Sequence, residues 1–241
     1  MSFRSSIPNA LTSCNLLSGI AGLFFAFSGR PDIAFCLMLA AAAFDFLDGF
    51  AARLLKTSSP IGAQLDSLSD AVSFGVLPSV MLSVMMWNGS PGLPWMKFLS
   101  ALPLLLAVFS ALRLAKFNID DRQHSSFLGL PTPASAILCA SLAAYCFIRP
   151  ESILAGICGS WWAILILTAV LCPLLVCEIP FFSFKGGKDD FKAKAKLTCF
   201  GCISAVTVIV AAVLAFHWTA IPFGIAAAYL LVNLIFALFR I

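Results

Sequence analysis

The residues whose types and spacing could do chemistry lie between positions 45 and 70. Asp45, Asp48, Gly49, Ala52 and Arg53 are followed, after a gap of eight, by Gly62, Asp66 and Asp70. Asp45 and Asp48 are three apart and Asp66 and Asp70 four apart, and on a helix either spacing puts both carboxylates on one face. Their surroundings are apolar: 61% of the 241 residues are hydrophobic and 11% are charged. Ionisable groups at membrane depth are costly, which makes them functional candidates by default. Four anions in one site repel one another, and one or two divalent cations relieve that repulsion. Carboxylate oxygens are hard ligands, so magnesium or manganese is expected ahead of zinc, with calcium admissible. The structural alternative is a set of buried, paired aspartates that hold helices together. Bare acidic clusters do not stabilise a bundle, which counts against it.

The elements that must position these groups are membrane helices. The composition places the chain in the all-α, polytopic membrane class, as one domain over residues 1–241. Apolar runs predict eight spanning helices, at 7–28, 33–54, 64–87, 97–117, 131–148, 160–178, 197–217 and 219–239. Gly29-Arg-Pro31, the stretch from Gly89 to Pro94, and Pro131-Thr-Pro133 punctuate them. Pro173 is expected to kink the sixth. In the first helix, Asn9, Thr12, Asn15, Ser18, Gly19 and Gly22 recur at helical spacing. Such a polar and small stripe should face protein rather than lipid. Its first turns could aim amides at a phosphate or serve only close packing, and periodicity leaves both open. The segment resembles a signal peptide superficially, but its length and interrupted apolar run argue against cleavage.

Lysine and arginine set the orientation. With the amino terminus inside, twelve of the 15 cations fall on the cytoplasmic side and only Arg30, Lys97 and Arg149 fall outside. Both termini are then cytoplasmic. At ~1.5 Å rise per residue, Asp45 and Asp48 lie ~18 and ~22 Å from the outer start of the second helix, and Asp70 and Asp66 ~25 and ~31 Å from the outer end of the third. The hydrocarbon layer is roughly 30 Å thick, so the carboxylates cluster in its inner part. The second and third helices run antiparallel across a short connection and can face each other. Gly49 and Gly62 fit either a close ligand approach or a helix contact.

The pattern D-x2-D-G-x2-A-R-x8-G-x3-D-x3-D, present here without departure from Asp45 to Asp70, resembles the signature of the CDP-alcohol phosphotransferases, integral membrane enzymes of phospholipid synthesis. A narrower likeness, to the branch that uses serine, rests on the stretch from Asp66 to Pro78, on Arg113-Leu-Ala-Lys116-Phe-Asn118, on the stretch from Phe127 to Ala134, and on Pro8-Asn9-Ala-Leu-Thr12 with Asn15 to Gly19. It covers roughly residues 7–140 and thins beyond, with Ser183-Phe-Lys185 a weak further match. The resemblance implies transfer of a phosphatidyl group from CDP-diacylglycerol to an alcohol, with release of CMP. It implies a site with two divalent ions, open to the cytoplasm in a bacterial-type inner membrane. Asp45, Asp48 and Asp66 would be the main metal ligands. Asp70 would deprotonate the alcohol and could also touch a metal. Arg53 would bind phosphate, with Asn9, Thr12, Gly49 and Gly62 near the nucleotide. A homodimer is expected too, and the small residues Ala40 to Ala43 could pack helices within or between protomers.

The acceptor is argued from charge. Serine's carboxylate wants a cation, and Arg113 and Lys116 at the end of the fourth helix are the candidates. Ordinary positive-inside anchoring also explains them, as an interfacial anchor would explain Arg53. The polar stretch from Asn118 to Leu128, including His124, could cover the site, although His124 reads as solvated. The basic tract from Lys185 to Lys196 could meet anionic lipid or signal topology alone. Other acceptors, glycerol phosphate, inositol or choline, remain as alternatives, as do Mg against Mn and direct attack against a covalent intermediate. An ion-coupled transporter would place its acids near the midplane and show repeated halves, which this chain lacks. No charged block suggests a nucleic-acid partner. Nine scattered cysteines, including Cys199-Phe-Gly-Cys202, read as small packing groups.

Overall fold

A computed structural model describes residues 3–57, 59–89, 94–119, 127–181, 191–213 and 217–238. Arg122, His124, Ser183, Lys185, Lys188 and Arg240 lie outside them. The described residues are mainly helical: α1 (Phe3–Phe27), α2 (Pro31–Leu54), α3 (Pro60–Asp70), a π-helical segment (Ala71–Val76), α4 (Leu77–Asn88), α5 (Pro94–Leu99), a 3₁₀ turn (Leu102–Leu104), α6 (Leu105–Ile119), α7 (Thr132–Ile148), α8 (Ile153–Cys158), α9 (Trp161–Val176), α10 (Phe191–Val213) and α11 (Ala220–Leu238). Two short strands, β1 (Phe127–Leu128) and β2 (Pro180–Phe181), pair antiparallel.

Among the described residues, five helical stretches are long and apolar enough to cross a membrane: Ser6–Phe27, Pro31–Leu54, Pro60–Asn88, Lys97–Ile119 and Ala220–Leu238. The other three expected spans correspond to shorter apolar helices, Thr132–Ile148, Trp161–Val176 and Leu197–Ala212. Large apolar side chains such as Phe24, Phe46, Phe98, Val108, Ile166 and Leu231 are exposed along these helices, as a lipid-facing surface requires. The nine cysteines are free, and Cys199 and Cys202 are exposed on α10. Pro173 lies inside the last turn of α9, whose final residue is Val176.

Local chemistry explains the joints. Gly29 turns α1 into α2 at φ +73°, and Pro31 opens α2 where its missing N–H is not needed. Lys56, at φ 49°, closes the chain out of α2. Ser59 then caps α3, accepting from the Gly62 N–H at 2.9 Å, with Pro60 in the first turn. The π segment has its own cause. Pro78 carries no N–H and crowds the carbonyl four residues back. The Leu77 N–H therefore reaches the Val72 carbonyl, five residues away. Gly129, at φ +77°, lies against the carbonyls of Leu175 and Cys177, where a Cβ would stand 2.8 and 2.9 Å from their oxygens. Its N–H donates to Ile179, and Leu130 donates to Leu174, tying β1 to the end of α9.

The core is built along α7. Phe35, Met38, Leu77, Met81, Leu82 and Ile164 are almost wholly buried there, around α7. On α2 the buried apolar residues stop at Ala41, whereas Ala43 is exposed, and the aspartates begin two residues later. The buried face of α1 reads Pro8, Thr12, Asn15, Gly19, Gly22 and Ala26, a run at alternating steps of four and three. It packs along α3, the π segment and α4 in the same direction. Ser69 Oγ donates to the Leu65 carbonyl of its own helix at 2.8 Å, with the Thr12 carbonyl 3.2 Å away, and Ser73 Oγ donates to the Asn15 carbonyl at 3.1 Å. Further up, a Cβ on Gly19 would collide with Ser73 Oγ, and one on Gly22 would come 2.6 Å from Leu77 Cδ2. The stripe on α1 is thus a helix contact.

Gly19→Val should therefore push α1 off Ser73 and destabilise the bundle by about 1–3 kcal/mol. Gly156→Ala, where a Cβ meets nothing within 4 Å, should leave stability unchanged. Thermal unfolding of the two variants in detergent checks both.

Candidate active site

Facing turns of α2 and α3 bring three carboxylates together. Asp45, Asp48 and Asp66 each offer an oxygen, all within 4.8 Å of one another. Asp48 is buried, and Asp45 and Asp66 are half-buried. Among the described residues no lysine or arginine pairs with them. The ion pairs there are Arg30–Asp32 and Arg149–Glu151, at the opposite ends of α2 and α7 from the cluster and from Thr132. One oxygen, Asp66 Oδ1, is buried without a hydrogen-bond partner. Hard oxygens at this separation, one orphaned and none neutralised by a basic side chain, fit a divalent cation.

Asp70 stands outside that triad. Its Oδ1 accepts from Asn15 Nδ2 at 3.2 Å. Asp48 is also held from α1: Thr12 Oγ lies 2.6 Å from Asp48 Oδ2 and 3.0 Å from the Pro8 carbonyl. A hydroxyl has one proton, and the shorter contact takes it. Thr12, expected near the nucleotide, is thus also a carboxylate partner. Asn15 was visible in the sequence as one more member of the polar stripe, and nothing there singled it out. What distinguishes it is its register opposite Asp70.

A cleft of about 210 Å³ opens beside the triad, with Asp48 and Asp66 on its wall. Asn9, Thr12, Gly49 and Gly62 all line it, so the residues expected near the nucleotide converge on one space. Thr57 and Ser59, from the α2–α3 connection, line it too. Thr57 Oγ1 is buried without a partner. The sequence reading missed both, although the Ser59-Pro60 pair is a helix-start signal. The two glycines left open between ligand approach and helix contact separate here. A Cβ on Gly49 would meet nothing within 4 Å, whereas one on Gly62 would come 2.9 Å from both Asn9 Oδ1 and Ser59 Oγ. Gly62 is a packing glycine. Gly49 presents bare backbone to the cleft.

Arg53 is exposed at the end of α2 and donates from Nε to the Gly49 carbonyl at 2.9 Å. That bond ties the guanidinium to the rim of the same cleft, without an acidic partner among the described residues. Arg113 and Lys116 diverge. Arg113 is 7% exposed, its Nη1 donates to Thr132 Oγ1 at 3.2 Å, and its Nε and Nη2 are buried without partners. Lys116 is exposed and donates to the Val176 carbonyl at 3.2 Å, capping the end of α9. Asn118, one turn further, donates to Ser67 Oγ at 2.9 Å and joins α6 to α3 between Asp66 and Asp70.

Comparison with known proteins agrees with this geometry. The chain is 40% identical over 138 residues to the CDP-diacylglycerol–serine O-phosphatidyltransferase of Mycobacterium tuberculosis strain H37Rv, covering 54% of this chain and 46% of that protein. It is 35% identical over 181 residues to the protein of the same name in Mycobacterium leprae, covering 72% and 57%. It is 31% identical over 180 residues to that of Bacillus subtilis, covering 74% and 91%. The chain spans about half the length of the mycobacterial relatives it matches. A sequence model of the CDP-alcohol phosphatidyltransferases matches residues 5–174, the stretch that carries the aspartates, the cleft and the α1 stripe; the chain belongs to the CDP-alcohol phosphatidyltransferase family.

Proposed function

We propose that the chain transfers a phosphatidyl group from CDP-diacylglycerol to the hydroxyl of L-serine, giving phosphatidylserine and CMP. The observation that carries this reading is the triad of Asp45, Asp48 and Asp66 beside a cleft lined by Asp48, Asp66 and the bare backbone of Gly49. Asp45, Asp48 and Asp66 would hold two divalent ions, magnesium or manganese, with Asp70 within reach of them. Ions held there would supply charge withdrawal at the donor's diphosphate and at the leaving CMP oxygen.

The chain's own residues do the rest. Asn9, Thr12, Gly49, Thr57 and Gly62 bound the space for the nucleotide. Arg53 meets a phosphate as a fixed-charge fork. Asp70 takes the proton of the serine hydroxyl as its oxygen forms a bond to the lipid-bearing phosphorus. The bond from that phosphorus to the CMP oxygen breaks, and the electron pair leaves with CMP. Catalysis of this kind is largely positioning and electrostatics. Arg113 is the better candidate for serine's carboxylate, because two of its donors are buried and unspent whereas Lys116 already serves α9. The serine reading over other alcohols is supported by the three relatives, each carrying that name.

In the same reading the chain crosses a bacterial-type inner membrane eight times, with both termini and the cleft on the cytoplasmic side. The twelve-to-three distribution of cations supports it. The partner, besides lipid, is a second copy of the chain.

Purified protein with CDP-diacylglycerol, Mg²⁺ or Mn²⁺ and a panel of alcohols should release CMP with serine, and chelation should abolish release until the ion is restored. Turnover with another alcohol and none with serine overturns the acceptor. Asp70→Asn should lower kcat by about 100-fold or more, in the range of a lost general base, with binding of CDP-diacylglycerol retained; full activity removes the base. Gly49→Ala should keep the thermal midpoint and raise KM for CDP-diacylglycerol by about tenfold, or 1.4 kcal/mol. An unchanged KM would show that the nucleotide does not touch this backbone.

A further inference from the structure

We infer that Asn15 is the positioning residue for Asp70, a role that rests on Asp70 being the base. Four observations converge on it. Asn15 is wholly buried, on the face of α1 that packs against α3. Its Nδ2 donates to Asp70 Oδ1 at 3.2 Å, across 55 residues of chain. Its own backbone is held by the next turn of the helix that carries Asp70, because Ser73 Oγ donates to its carbonyl at 3.1 Å. And its side-chain oxygen, Oδ1, is buried without a hydrogen-bond partner.

The last observation separates a positioning role from a structural one. A buried amide acceptor with no partner is destabilising by the desolvation of that group. The neighbouring positions of the same face are Pro8, Thr12, Gly19, Gly22 and Ala26, and an apolar side chain at 15 would suit the contact better. What Asn15 supplies is orientation. A carboxylate accepts only, so the amide must turn its N–H toward Asp70, and its oxygen is left unmet. With Oδ1 of Asp70 taken by Asn15, the other oxygen is the one left for the acceptor hydroxyl. The triad needs no such help from Asn15, since Thr12 holds Asp48. Asn15 therefore acts on the acceptor half of the reaction and not on donor binding.

The test is a double-mutant cycle on the full chain, read as CMP release with whichever alcohol of the panel supports it. Asn15→Leu should lower kcat about 10- to 100-fold, the usual range for a supporting partner of a site residue. KM for CDP-diacylglycerol should stay within about twofold, and the thermal midpoint should be equal or higher, as removal of an orphaned buried acceptor implies. In the Asp70→Asn background the same change should cost nothing further, because the group it positions is gone. Asn15→Ala repeats the comparison should leucine not fit. Losses that multiply with Asp70→Asn, a raised KM with kcat intact, or a lowered midpoint matching the lost activity would overturn the assignment and leave Asn15 a packing residue. Turnover with an alcohol other than serine overturns the acceptor reading alone, and Asn15 is then judged with that alcohol. No release with any alcohol overturns both.

Discussion

Carboxylates held close together in an apolar bundle, with no basic side chain between them, are the constraint on which this structure turns. Each repels the others, and none is offset by an internal ion pair among the described residues. Left to themselves the facing turns of α2 and α3 would separate. What keeps them in place comes from a third helix. Thr12 donates to Asp48 and Asn15 to Asp70, while Ser73 returns a donor to the α1 backbone. These polar contacts join α1 to the acidic helices in both directions. Neutral donors suit this task better than lysine or arginine. They orient a carboxylate while leaving its charge available to a cation, which a salt bridge would consume.

The bundle divides its labour along its length. At one end the helices meet through Phe35, Met38, Leu77, Met81 and Leu142, which are almost fully buried. Toward the other end α2 and α3 carry aspartates, small residues and a short connection, and a cleft takes the place of apolar packing between them and α1. The packed end supplies the rigidity. The cleft end can then keep orphaned polar atoms, Asp66 Oδ1 and Thr57 Oγ1, that a stable core would not tolerate. Such unspent groups are what a charged diphosphate and a nucleotide would use.

Much of this was legible in the sequence, and the illegible part has definite causes. Among the described residues, five of the eight expected spans fall on helices long and apolar enough to cross a membrane, and the other three on shorter apolar helices. The boundaries differ where prolines mislead. α1 begins at Phe3 with Pro8 inside it, and the fourth stretch is broken into Pro94–Leu99 and Leu105–Ile119 around Pro103. The aspartates were legible because only function explains them at that depth. Their grouping was not legible from spacing, and only the family resemblance set Asp70 apart from the other three. Spacing alone made Asp66 and Asp70 equals, whereas three carboxylates form the triad and Asp70 turns to Asn15. Gly49 and Gly62 look alike on paper, and they part only when a Cβ is placed on each. Contacts between distant stretches decide such cases, and local pattern holds no record of them.

The π segment shows how a local irregularity serves that long-range register. Ser69, Ser73 and Leu77 all face α1, at successive steps of four. In a regular α-helix a residue advances ~100°, so each step of four overshoots a full turn by ~40°. Two such steps would carry Leu77 ~80° around the helix from Ser69, away from a straight neighbour. A π turn holds more residues, and its wider pitch of hydrogen bonding, seen in Leu77 to Val72, absorbs the drift. The face stays aligned from Ser69 to Leu77, against an α1 face that keeps its own alignment by alternating steps of four and three. Pro78 sets the π turn, the π turn keeps Ser73 on the Asn15 carbonyl, and that contact holds Asn15 opposite Asp70. A proline outside the acidic signature thus helps determine where its last carboxylate points.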